Sequence, residues 1–143
     1  MTGDKSSDFS KKHGDRVLDP GLEEELLKKA KNGGLPCAVA FDLAGTLQVG
    51  AKDMGIALDL MNLRITQCQL GLFGYLPEKK IVTPADSVSS DQAAEIRREL
   101  VDGRLSCKAA WEIASRLNLL KMAVSRACEF MGIKIKPCQL GAF

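Results

Sequence analysis

The residues best suited to chemistry in this chain are its five cysteines, four of which occupy duplicated positions. Cys37 recurs as Cys107 and Cys68 as Cys138, each 70 residues later. Paired thiolates can hold soft metals or sense oxidants, and Cys107 stands where a helix is expected to begin, a place whose dipole can lower a thiol pKa. Against that, the chain has no Cys-x-x-Cys pair and a single histidine, His13, whereas metal sites draw on closely spaced Cys and His ligands. Free cysteine is also one of the most readily buried small side chains. Cys128 has Leu58 in the matching place and reads as core. Catalytic constellations are missing: there is no phosphate loop, no Gly-x-Ser-x-Gly and no carboxylate cluster with metal spacing. Asp42, Asp53, Glu112 and Glu129 read as surface charge. The expectation is a protein that is not an enzyme, with no cofactor and no metal.

These residues must be positioned by elements that occur twice. Residues 30–73 laid on 100–143 give 14 identities in 44 positions, with Cys-Gln-Leu-Gly-x-Phe at both ends (68–73 and 138–143). Apolar positions keep step between the anchors: Phe41 with Trp111, Leu43 with Ile113, Ala44 with Ala114, Met61 with Met131. Four regions follow: a flexible N-terminal arm at 1–18, a first repeat at 19–74, a linker at 75–90 carrying Pro77 and Pro84, and a second repeat at 91–143.

Within the second repeat, Ser90-Asp91 offers cap chemistry and Ala93, Ile96 and Leu100 share a helical face. Asp102-Gly103 is expected to stop that helix. Ser106 then caps a helix from Cys107 to Leu117 with the stripe Ala110, Ile113, Ala114 and Leu117. Asn118, which tolerates the left-handed conformation, leads to a third helix over about 121–131 that ends at Gly132. Ile133-Lys134-Ile135-Lys136 alternates with period two, as a half-exposed strand does. The first repeat follows the same order, opening on Asp19-Pro20, a cap followed by proline at the first helical position. Each copy is three helices and a short strand, so the fold class is mainly α with short β-strands.

Charge and composition bound the remaining choices. The chain is 45% hydrophobic and 27% charged with a formal charge of +2, a globular composition. Its longest apolar run, Leu35 to Phe41, is too short for a bilayer, and its first twenty residues lack an apolar signal core. With an odd number of cysteines these features point to a cytoplasmic chain without a membrane partner.

The hairpin of helices over residues 110–129 resembles the helix-turn-helix of bacterial transcription regulators. Ala114 stands where that family places a small residue, Asn118 at its turn position, and Leu119 and Val124 at its branched apolar positions. The first repeat has Ala44, Gln48, Val49 and Met54 there and departs at the turn. The resemblance implies two tandem three-helix, winged helix-turn-helix repeats, with Ile133–Lys136 as wing and the third helix lying in the major groove of double-stranded DNA. It places Lys121, Met122, Ser125 and Arg126 at base edges and Lys108, Arg116, Lys134 and Lys136 on phosphates. Residues 91–143 carry nine basic and six acidic side chains, while 21–74 carry five and six. The expectation is therefore a small transcription regulator or accessory factor. Its second repeat contacts DNA, and its first, through Ile56 and Leu60, serves a homodimer or a protein partner. Two alternatives stand beside it: an interaction adaptor that kept the fold and lost DNA, and a thiol-based metal or redox sensor.

Overall fold

A computed structural model of the chain describes residues 19–75 and 79–142; the N-terminal arm and His13 lie outside them. The described residues are mainly helical, with short strands: α1 (Pro20–Lys29), β1 (Gly34–Pro36), α2 (Cys37–Thr46), α3 (Ala51–Leu60), β2 (Arg64–Thr66), α4 (Ser90–Arg98), β3 (Arg104–Leu105), α5 (Cys107–Arg116), α6 (Lys121–Met131) and β4 (Lys134–Ile135). The second five repeat the first five at the 70-residue offset seen in the sequence. The chain forms two compact units, one reaching to Gln67 and the other starting at Cys68. The first Cys-Gln-Leu-Gly-x-Phe segment and the stretch read as a linker thus belong to the second unit, whereas the sequence reading closed the first repeat at residue 74.

Three of the six helices among the described residues start on a side-chain cap. The Asp19 carboxylate accepts from the Leu22 N–H at 3.0 Å, the Ser89 hydroxyl from Gln92 N–H at 3.1 Å and the Ser106 hydroxyl from Ala109 N–H at 3.0 Å, each satisfying a donor the helix leaves open. Asn32-Gly33 and Asp102-Gly103 do something other than stop a helix. α1 and α4 have ended by Lys29 and Arg98, and both dipeptides take positive φ at both residues. Lys31 and Gly34 exchange two backbone hydrogen bonds across the first turn at 2.9 Å, as do Val101 and Arg104 across the second at 2.9 and 3.0 Å. That is the type I′ turn that Asn-Gly and Asp-Gly favour.

The turn between α5 and α6 is closed by the Leu119 N–H on the Ala114 carbonyl (2.8 Å) and the Asn118 N–H on the Ser115 carbonyl (3.3 Å), with Asn118 at φ 56°. This is the pair of bonds of a Schellman ending. The first unit repeats it at Val49–Ala44 (2.8 Å) and Gln48–Gly45 (3.3 Å).

In the first unit Leu22, Leu26, Leu35, Ala40, Leu43, Met54 and Leu58 are buried. Ile56, expected to be free for a partner, is also buried, and Leu60 is half-buried. In the second unit α4, α5 and α6 all touch one another. They enclose a core of Ile96, Leu105, Ala110, Ile113, Ala114, Val124 and Ala127, joined by Cys68 and Leu70.

Each strand pair is parallel: Leu35 lies opposite Ile65, and Leu105 opposite Ile135. Parallel neighbours need a crossover, and the two helices between the strands supply it. The segment expected as a wing is therefore tied back beside β3. A wing is an antiparallel hairpin, and β4 has no such partner among the described residues.

Candidate nucleic-acid interface

α5 and α6 pack together, with Ala110, Ile113 and Ala114 of one helix and Val124, Ala127 and Cys128 of the other buried in one core. A side chain larger than alanine at 114 would hold the helices apart. α5 and α6 thus form a tightly turned helical hairpin with Ala114 buried in its core. The outward face of α6 is another matter.

Ser125, expected at a base edge, is completely buried, and its hydroxyl has no hydrogen-bond partner. Met122 is half-buried: its sulfur and terminal methyl lie 3.3 and 3.1 Å from where a Cβ on Gly71 would stand. Arg126 is exposed, but its Nε donates to the Thr83 carbonyl at 3.3 Å, and the Ala85 N–H donates to the Arg126 carbonyl at 3.1 Å. Lys80 pairs with Glu129 at 2.9 Å, and Val82 is buried. Residues 80–85, read from sequence as linker, thus lie along the face of α6 that was expected to read bases. Pro84 and the serines after it do not oppose this, because the chain here binds through its carbonyls and amides rather than as a regular element. Lys121 sits over the Trp111 ring, 4.6 Å from its centroid, a cation–π contact.

The expected phosphate contacts divide. Arg116 pairs with Glu95 at 2.8 Å and Glu99 at 3.5 Å, and Lys108 with Glu112 at 3.6 Å. Lys134 and Lys136 are exposed and make no ion pair or side-chain hydrogen bond among the described residues. A third cation, missed in the sequence, joins them: Arg104 stands directly opposite Lys134 in the β3–β4 register and is also exposed and unpaired there. Leu105 and Ile135 turn inward from the same ribbon, so strand alternation points the three cations outward together. The available signal was the alternation of Arg104-Leu105, which matches Lys134-Ile135 at a 30-residue offset.

Cys68, Cys107 and Cys128 are all held above the ordinary thiol range. Cys37, Cys68, Cys107 and Cys128 are buried and Cys138 is half-buried, none of them in a disulfide. The Gln139 amide donates to the Cys107 sulfur at 3.4 Å, and the Cys107 N–H to the Pro137 carbonyl at 3.0 Å. Burial nevertheless pushes the Cys107 thiol up to about 11, with the nearby Cys138 and Cys68 adding to the rise, so the helix start does not depress it as expected. Burial likewise raises Cys68, and it pushes Cys128 up to about 12 with help from the Glu129 charge. Among the described residues no three His, Cys, Asp or Glu side chains are grouped so as to hold a metal ion, and no helix is long and apolar enough to cross a membrane. The chain matches no protein-family model, no curated protein and no solved structure.

Proposed function

We propose that this protein is a DNA-associated accessory factor built on two tandem helix-turn-helix units, and that its second unit grips the phosphate backbone through the β3–β4 edge instead of reading bases through α6. One observation carries the reading. Of the eight residues expected to touch DNA, six are engaged inside the unit or buried, and the two that make no ion pair among the described residues, Lys134 and Lys136, share their edge with Arg104. Cations on a strand edge can neutralise phosphates but carry no base information, which resides in contacts to base edges within the grooves.

Binding of this kind is weak, salt-sensitive and indifferent to sequence. Three neutralised phosphates give log K a slope of about −2.7 against log salt, at roughly −0.9 per phosphate, with nonspecific Kd values on the order of 10⁻⁴–10⁻⁶ M. Fluorescence anisotropy with random duplex DNA at low and moderate salt tests it. The expected result is binding that Arg104→Gln with Lys134→Gln and Lys136→Gln abolishes, and that Lys121→Ala with Arg126→Ala leaves within about twofold. Loss in the second variant with retention in the first would return the contact to α6.

A second reading, an interaction adaptor that no longer holds DNA, is favoured by two exposed apolar side chains: Leu120, 81% exposed just before α6, and Phe130, 51% exposed near its end, which suit a protein surface better than a charged groove. Absence of any DNA binding at low salt would select it.

A further inference from the structure

The first unit holds an open cleft of about 400 Å³ between the end of α1 and the β1–β2 ribbon, within the size range of small-molecule sites. Three lysines line it, Lys28, Lys29 and Lys31, and among the described residues no carboxylate does. Thr66 and Gln67 contribute a hydroxyl and an amide, and Pro36 and Val39 form an apolar wall. Lys28 is partly satisfied by Glu25 at 3.2 Å, leaving Lys29 and Lys31. Lys28 and Lys29 lie in the last turn of α1, where cations favour the helix dipole. Lys31 is beyond the helix, on the type I′ turn, and the dipole does not account for it.

The duplication supplies the control. The second unit builds the same turn, ribbon and helix with Glu99 in place of Lys29, Val101 in place of Lys31 and Arg104 in place of Gly34. The scaffold therefore forms without the lysines. Gly34 keeps the ribbon side of the cleft clear: a Cβ there would lie 3.0 Å from the Thr66 methyl carbon and 3.5 Å from the Arg64 carbonyl. The second copy also carries cations at matching places, Arg98, Arg104 and Lys136, but it has a carboxylate at Glu99, an apolar side chain at Val101 and a long side chain at Arg104 where Gly34 leaves room.

We infer that this cleft binds a small organic anion carrying at least two negative charges, as phosphate or carboxylate, on a compact apolar body. Ammonium groups suit anionic oxygens as point charges, the Thr66 hydroxyl and Gln67 amide can donate to them, and Pro36 and Val39 face the body. The inference concerns the first unit alone and is independent of DNA binding by the second.

Two probes separate the sources of the charge: adenosine monophosphate and isophthalate, titrated into the full chain at low salt by calorimetry and by amide chemical shifts of Gly34, Thr66 and Gln67. The expected result is saturable binding of at least one probe, with shifts at those amides. Phosphate chemistry is assigned if the nucleotide alone binds, and carboxylate chemistry if isophthalate alone does. Lys29→Glu with Lys31→Val, exposed positions given the second copy's own residues, weakens binding by roughly tenfold or more, the scale of a lost charge-assisted contact. Gly34→Arg also weakens it although it adds a positive charge, because it fills the cleft; were that variant to fail to fold, the lysine pair would still decide. The inference is overturned if neither probe binds at about 10 mM, or if affinity in the lysine variant stays within about twofold of wild type.

Discussion

Ser125→Ala is expected to raise the stability of the second unit and to leave DNA affinity unchanged. As a base-edge contact, Ser125 would be exposed, and its loss would weaken DNA binding without touching stability. In the structure it is fully buried in the middle of α6 with an unpartnered hydroxyl. Leaving such a group unsatisfied costs about 1–3 kcal/mol, and alanine is favoured over serine in a helix interior by about 0.5 kcal/mol. Opposing these, removing one oxygen leaves a gap no larger than a methyl group, worth at most about 1 kcal/mol. The balance is a gain on the order of 1–2 kcal/mol, and each kcal/mol moves the Tm of a unit this small by roughly 4–8 °C. Trp111 is the single tryptophan and lies in this unit, so its fluorescence follows the right transition during heating or urea denaturation. A Tm unchanged or lowered in Ser125→Ala would refute the reasoning, since it would mean the hydroxyl is satisfied or exposed. DNA affinity of the variant is expected to equal that of wild type, measured by the same anisotropy assay.

Two further outcomes follow from the geometry. With Cys107 at about 11 and Cys128 at about 12 against an ordinary 9.0, the folded thiols stay protonated when the unfolded ones ionise. Their contribution to stability is whole below about pH 9 and lost as pH rises towards 11–12, so urea midpoints should hold to pH 9 and then fall. Correspondingly, a thiol-specific disulfide reagent at pH 8 should react slowly with native protein and promptly in denaturant. Rapid labelling of all five native thiols would contradict the burial. Asn118→Val should destabilise the second unit by about 1–2 kcal/mol, because φ at 118 is positive and a β-branched side chain resists it, whereas Asn118→Gly should be close to neutral. Both are read from the Trp111 transition, and equal behaviour of the two variants would rule out the left-handed turn.

Much of the local structure was legible because its causes are local. Asp19-Pro20 and Ser106 cap their helices with the side chains that stand beside them in the chain. Asn118 meets its left-handed requirement alone, and the stripe Ala110, Ile113, Ala114 announces a buried face through its period. Asp102-Gly103, like Asn32-Gly33 in the first copy, has chemistry that fits a helix stop or a type I′ turn equally well. What distinguishes the two is whether Gly34 and Arg104 fold back on Lys31 and Val101, and the dipeptide alone does not say.

The duplication, the mainly helical class and the order of elements were determined by the sequence itself, since repeats, caps and periodicity act over a few residues or are visible by comparing the chain with itself. The state of the candidate site was decided by tertiary structure. Nothing within residues 121–131 marks Ser125 as buried, because what lies along that face is residues 80–85, some forty positions earlier. Likewise Arg104 and Lys134 become neighbours through parallel pairing across two helices, and Lys29, Lys31, Gly34 and Thr66 line one cleft only once β1 and β2 are side by side. Periodicity determines which way a side chain faces on its own element; what that face meets depends on chain brought from elsewhere, and there packing and electrostatics settle whether a cation is paired, a hydroxyl is satisfied or a space is left open.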